Sequence, residues 1–352
     1  MPIFAANPKM KIKSIRDSSF NWLEIKVLQY IDFLPRLYIN DRRFVTFSHR
    51  GGRGLKESQA DSEYFQTIPR SFKNKFRHIH YNSRFWILDF FKIIFYLLTS
   101  RKLKIIIIQY VPVFLNFPSI NLLSALHNRG VEIIKIWPDS WHRDLWEKRI
   151  LPVSKIGQLN ILADIPDNPL IELDKNNKYS WNPPPIIRFP FIDFEKRNNF
   201  IFYSGAISRD GIYQSRGEYL EYLRAKGYPV AGVTYDWDKP IRRPNYKDYR
   251  NNLANSKIGL NFTWKGDAEI ITGRTWETFA SGTLLLQNSS KILDGLFVEG
   301  EQYIAFTSKE DLLDRLKFLS ENLAYAETIA RSGYIRYKEL FDPQNFWTDL
   351  IG

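Results

Sequence analysis

Residues 256–288 read S-K-I-G-L-N-F-T-W-K-G-D-A-E-I-I-T-G-R-T-W-E-T-F-A-S-G-T-L-L-L-Q-N. The apolar run at 258–262 has the length of a buried strand. A polar loop follows, carrying Lys265, Gly266, Asp267, Glu269, Thr272, Gly273 and Arg274. Residues 275–281 then show a compact helical pattern closed by Gly282, and 283–286 form a second apolar run. Strand, loop, helix, glycine, strand is a βαβ unit, and its first loop stands at the carboxyl end of a strand. Open parallel sheets bind ligands at that end. Backbone N–H groups at a helix start favour an anion.

The same alternation extends in both directions. Towards the C-terminus, 303–306 reads as a strand, 309–320 as a helix and 343–351 as a terminal helix. Before the central stretch, 200–203 and 229–233 read as strands and 213–226 and 246–255 as helices, the first of them closed by Gly227. In the first half, 44–47, 104–109, 131–136 and 159–163 read as strands, with helices at 83–99 and 118–128. The continuous isoleucine run at 104–109 suits a central parallel strand buried on both faces. Repeated strand–helix alternation predicts an α/β chain with doubly wound sheets. The length of 352 residues suits two domains. W-N-P-P-P at 181–185 reads as a rigid extended connector.

Glu269 and Glu277 bracket the central loop with seven residues between them, and T-F-A-S-G-T-L-L-L follows. This resembles the E-A-x-A-x-G-x-P-V signature of GT-B glycosyltransferases, chiefly family four and the spore-maturation glycosyltransferase-like proteins. The resemblance implies two Rossmann-like domains facing across a cleft. It implies an N-terminal acceptor-side domain at 1–185, a nucleotide-sugar-binding domain at 186–335, and a terminal helix at 336–352 packing back on the first domain. It also implies that Glu277 binds the ribose hydroxyls of a nucleotide diphosphate sugar and that Glu269 lies beside the donor sugar. Thr272, Gly273, Arg274 and Lys265 would hold the diphosphate.

S-G-A-I-S-R-D-G at 204–211 stands where family four reads G-R-L-x-x-x-K-G. Gly205 matches that motif and Arg209 falls near its lysine, while Ala206 replaces its arginine, so Lys265 or Arg274 is expected to supply the missing cation. Ser48-His49-Arg50-Gly51-Gly52-Arg53-Gly54 resembles the glycine-rich first loop of such enzymes, and Trp137-Pro138-Asp139 the aspartate at the end of a later strand. Gly51, Gly52 and Asp139 are thus acceptor-side candidates. His49 and His142 are candidate general bases, since imidazole titrates near neutrality. The resemblance implies a metal-independent, retaining transfer to a hydroxyl on a glycan, a lipid-linked acceptor or a small molecule, with no cofactor. The alternatives are an inverting GT-B transferase and a non-catalytic GT-B-like protein that binds a polymer or membrane.

Composition narrows the field further. No cysteine is present, which excludes disulfides, thiolate nucleophiles and Cys-ligated zinc. The formal charge is +12, dispersed among carboxylates rather than gathered in a tail, and no nucleic-acid-binding motif stands out. The basic excess predicts contact with phosphates or an anionic membrane surface. Residues 85–98, the most apolar stretch, are too short to span a bilayer and contain Asp89 and Lys92, which predicts a buried or interfacial helix. With no secretory leader visible, the expected location is the cytoplasm, with peripheral attachment to the inner face of the membrane. Asp236-Trp237-Asp238 is a D-x-D triplet of the kind that chance supplies about once in such a chain, and it follows a strand in the second half; the pair His78/His80 has no third ligand nearby.

Overall fold

A computed structural model describes residues 26–29, 40–48, 67–73, 75–80, 86–108, 118–137, 140, 142–183, 186, 188–207, 214–232, 234–236, 246–263 and 269–351. The chain divides into two compact units. One comprises Met1–Asp61, Pro69–Ala163 and Asp167–Asn182, the other Ser62–Ile68, Asp164–Pro166 and Pro183–Gly352.

The first unit is built on a six-stranded sheet. Its strands are β1 (Asn40–Ser48), β2 (Phe76–His80), β3 (Ser100–Ile108), β4 (Glu132–Trp137), β5 (Leu159–Leu162) and β6 (Tyr179–Trp181). Their order across the sheet is β2-β1-β3-β4-β5-β6, and every pairing is parallel. Ile105, Ile106, Ile107 and Ile108 are all fully buried, as expected of a central strand covered on both faces. Helix α1 (Trp86–Thr99) packs Phe90, Ile93, Ile94 and Leu97 into the core with β1 and β3 residues. Helix α2 (Ile120–His127) is capped by Ser119, whose Oγ accepts from Leu122 N–H at 3.0 Å.

The second unit holds a five-stranded sheet of β7 (Asn199–Phe202), β9 (Val230–Ala231), β11 (Ser256–Asn261), β12 (Leu284–Asn288) and β13 (Ile304–Phe306). The order is β13-β12-β11-β7-β9, again parallel throughout. A separate parallel pair joins β8 (Gly205–Ile207) to β10 (Thr234–Asp236). The longer helices are α3 (Gln214–Ala225), α4 (Tyr246–Ala254), α5 (Gly273–Ala280), α6 (Lys309–Glu321), α7 (Leu323–Leu340) and α8 (Pro343–Ile351). The chain runs from β7 outward to β9, then returns to β11 on the other side of β7 and proceeds to β12 and β13. The sheet order therefore reverses between β7 and β11, which makes the carboxyl ends of these two strands the expected ligand position of this unit.

The expected elements are present, with small shifts at their ends. The central helix starts at Gly273 rather than 275, so Gly273 and Arg274 form its first turn rather than the end of the loop. Gly282 adopts φ +66°, the left-handed conformation suited to a residue closing a helix. Helix α8 belongs to the second unit, where the Trp347 indole donates to Thr67 Oγ1 at 2.7 Å. His78 and His80 fall in β2 and Asp236 ends β10. Trp237 and Asp238 lie outside the described residues. Among the described residues, no group of three or more His, Asp or Glu is placed to hold a metal ion, and no helix is long and apolar enough to cross a membrane.

Candidate donor-binding site

Strand β11 ends at Asn261, a buried polar residue closing an apolar strand at the point of reversal. Its amide Nδ2 donates to Thr272 Oγ1 (3.0 Å), Thr275 Oγ1 (2.9 Å) and Gln287 Oε1 (2.7 Å). Its Oδ1 accepts from Arg274 Nε at 3.2 Å. Thr275 Oγ1 also donates to Gln287 Oε1 at 2.8 Å. One amide thus ties the end of β11 to the first turn of α5 and to β12. Thr272 occupies the N-cap of α5 with extended backbone, yet its hydroxyl makes no cap bond and is turned to Asn261 instead. The first turn of α5 keeps the positive end of the helix dipole.

Gly205, the first residue of β8, stands just beyond the end of β7. A Cβ there would lie 2.5 Å from Tyr203 Oη and 3.4 Å from Arg274 Nη1. The contact shows two things: Arg274 sits against the β7–β8 connection, and only glycine fits beside the Tyr203 hydroxyl. At Gly273 a Cβ would meet nothing within 4 Å, so the start of α5 opens onto space. Arg216, in the first turns of α3 and buried, extends Nη2 to the Phe262 carbonyl just past β11 (3.4 Å). Two guanidinium groups and a helix N-terminus therefore gather at the carboxyl ends of β7 and β11.

Glu277 lies one turn into α5 and half-buried. Tyr249 of α4 donates its hydroxyl to Glu277 Oε2 at 2.5 Å, which orients the carboxylate. The Tyr337 hydroxyl titrates above its ordinary value, first because it is buried and then because Glu277 is near. Glu269 has a different neighbourhood. Its Oε1 is buried and has no hydrogen-bond partner among the described residues. With Asp294 and Glu299, its charge reaches Tyr303, whose hydroxyl is pushed up first by burial and then by its bond to Asp294. An unpaired buried carboxylate oxygen is costly.

In the first unit, His142 is half-exposed and caps a short helix, its Nδ1 accepting from Asp144 N–H at 3.1 Å. Any proton transfer by this ring must therefore run through Nε2. Six candidates, Lys265, Arg209, His49, Gly51, Gly52 and Asp139, lie outside the described residues. Of the donor-side candidates, the structure gathers Gly205, Thr272, Gly273 and Arg274 at one sheet end, with Glu277 a turn further along the same helix. Sequence reasoning passed over Asn261, Tyr249 and Arg216. The signal for Asn261 was a polar residue ending an apolar run; the other two reach the site from distant helices and left no local mark.

Residues 216–352 match the family described as "Glycosyl transferase-like". The matched residues lie entirely within the second unit. No curated protein sequence matches the chain. Solved structures resemble it over most of its length. HepE of Anabaena in complex with UDP-glucose has a TM-score of 0.53 at 9% identity, covering 88% of this chain and 98% of that one. Sucrose-phosphate synthase of Thermosynechococcus elongatus has 0.54 at 10% identity, with the same two coverages. A DNA-modifying β-glucosyltransferase, solved with and without uridine diphosphoglucose, has 0.50 at 13% identity, covering 87% and 98%. These likenesses and the two parallel sheets give the chain the fold of GT-B glycosyltransferases, as the motif around Glu269 and Glu277 implied.

Proposed function

We propose that this protein transfers a sugar from a nucleotide diphosphate sugar to a hydroxyl acceptor. The observation that carries the reading is the placement of Arg274 and the N-terminus of α5 at the reversal point between β7 and β11, against Gly205. A diphosphate placed there meets a guanidinium fixed by Asn261 and the positive end of a helix. Glu277, oriented by Tyr249, accepts the ribose hydroxyls one turn away. Arg216 supplies the second cation that Ala206 does not provide. Positive groups fixed before the reaction stabilise the charge that develops on the departing diphosphate, so the chemistry needs no metal ion. Glu269, with one oxygen lacking a partner, meets a hydroxyl of the donor sugar.

The first unit would hold the acceptor, with His142 or His49 taking the proton from its hydroxyl and Gly51, Gly52 and Asp139 lining its approach. Retention of anomeric configuration follows only from the family-four likeness. UDP-glucose is the first donor to test, because HepE and the β-glucosyltransferase were solved with it. The domain limits 1–185, 186–335 and 336–352 and a cytoplasmic setting on the inner membrane face belong to the same proposal.

Calorimetry with uridine, UDP and UDP-glucose tests the site. Charge-assisted bonds to ribose hydroxyls are worth about 1.5–3 kcal/mol each, and 1.4 kcal/mol is a factor of about ten in affinity. Glu277→Gln should therefore weaken all three ligands by about tenfold or more. Arg274→Ala should weaken UDP and UDP-glucose but hardly uridine. Glu269→Gln should lower turnover with little change in UDP affinity. If all three variants bind every ligand as the parent does, this end of the sheet is not the donor site.

A further inference from the structure

Helix α1 presents two apolar faces and buries only one. Phe90, Ile93, Ile94 and Leu97 lie in the core, whereas Ile87, Leu88, Phe91 and Phe95 are 47%, 57%, 54% and 55% exposed. At about 100° per residue these four fall within one sector of roughly 100°. They form a continuous strip about 12 Å long. Scattered exposed apolar residues need no explanation, but an aligned set of this size marks an interaction surface. Lys92 stands on its flank with a largely exposed side chain, paired to Asp89 at 2.9 Å.

The chemistry at the end of the strip indicates what covers it. Helix α1 runs straight into β3, whose first residues include Arg101 and Lys102, both exposed. The strands are parallel, so β2 and β3 start at the same end of the sheet; Phe76 and Lys104 both pair with Phe44, and β3 begins four residues further out than β2. Exposed Lys75 and Arg77 therefore stand at that end too. Arg77 Nε donates to Tyr96 Oη at 3.0 Å, which fastens this basic end to α1 itself. The carboxylate of Glu132 at this end is matched by Lys104 at 3.0 Å. Four cations, Lys75, Arg77, Arg101 and Lys102, thus border the carboxyl end of an exposed apolar strip.

We propose that this face docks on an anionic lipid bilayer. Ile87, Leu88, Phe91 and Phe95 enter the boundary between headgroups and acyl chains, and the four cations meet lipid phosphates. The helix, about 21 Å long, is too short to cross the hydrocarbon layer and lies in its plane. A basic border beside an exposed apolar strip complements an anionic headgroup layer over acyl chains, so the occupant is a lipid surface. The docking face is carried by the first unit alone and does not rest on the donor-site reading.

Sedimentation of the full chain with phosphatidylcholine vesicles, with and without phosphatidylglycerol, tests the proposal. The parent should bind the anionic vesicles and be released by salt. The triple variant Leu88→Gln, Phe91→Gln, Phe95→Gln should lose about tenfold or more of that binding, while its far-UV circular dichroism and UDP affinity stay unchanged. Arg101→Gln with Lys102→Gln should reduce the preference for anionic over neutral vesicles. Failure of the parent to sediment with anionic vesicles overturns the proposal, as does parent-like binding by the triple variant. So does a triple variant that turns a dimeric parent into a monomer, which would make the strip a self-association face.

Discussion

Asn261 spends its whole amide inside the protein: one end gathers Thr272, Thr275 and Gln287, and the other fixes the Arg274 guanidinium. Its proposed contribution to ligand binding is indirect, by holding a cation in place. Removing it should leave Arg274 mobile, so Asn261→Ala is expected to weaken UDP by roughly tenfold while uridine binds as before. The cycle with Arg274→Ala separates positioning from simple loss of stability. If Asn261 acts through Arg274, the double variant binds UDP no more weakly than Arg274→Ala alone. Additive losses would show that Asn261 acts by another route.

A second residue makes a statement about pH. Lys135 of β4 is almost completely buried and donates Nζ to the carbonyls of Val153 (3.2 Å), Ser154 (3.0 Å) and Ile156. Burial lowers its pKa to about 7, against a smaller raising effect from Asp174. The unfolded chain then binds the extra proton between about 7 and 10.5, so the lysine contributes stability that grows as pH rises through that window. One proton gives a slope of about 1.4 kcal/mol per pH unit. Urea unfolding of the parent and of Lys135→Met at pH 8 and pH 9 should show their difference shifting by about that amount in favour of the parent. A difference independent of pH would mean that the lysine stays charged on its three carbonyls.

At the scale of elements, the seat of α5 on β11 depends on one glycine. A Cβ on Gly259 would approach Thr278 Cγ2 to 2.6 Å and its Oγ1 to 3.0 Å, and Thr278 is buried and bonded to the Arg274 carbonyl at 2.7 Å. Gly259→Ala should therefore push α5 outward and cost about 1–3 kcal/mol, the usual cost of overpacking. Adding Thr278→Ala should recover much of the loss in a thermal or urea melt. No recovery would place the strain elsewhere. The strands and helices of this region were legible because apolar runs and glycine stops are local signals. Strand β2 gave a weaker one: F-R-H-I-H holds only two apolar residues and lies at the edge of the sheet. Arg197 gave none. It is buried and donates to the Ser256 carbonyl (3.0 Å), Thr283 Oγ1 (2.8 Å) and the Ser281 carbonyl (3.2 Å), partners 59 to 86 residues away. Its neighbours in sequence could not have revealed this clamp on the far end of α5.

On the scale of the whole molecule, the sequence showed two α/β halves and a change near residue 185, but not that the second unit recruits chain from the first half. Ile68 and Ile165 are buried and belong to the second unit. The Asp164 carbonyl accepts from Ile271 N–H at 2.9 Å, immediately before the helix that carries Arg274. Thr67 Oγ1 accepts from the Trp347 indole of α8. A fragment that starts at Pro183 retains all seven strands and the six longer helices of this unit, yet loses these inserted contacts. Each buried isoleucine is worth about 1.5–3 kcal/mol, and each hydrogen bond about 1 kcal/mol net. The 183–352 fragment should therefore unfold at a distinctly lower urea concentration than the same unit within the full chain, read from the nucleotide-stabilised transition of each. Because Ile271 adjoins the first turn of α5, the fragment should also bind UDP more weakly in native buffer. A fragment that matches the full chain in both midpoint and UDP affinity would show that residues 62–68 and 164–166 merely rest on the unit.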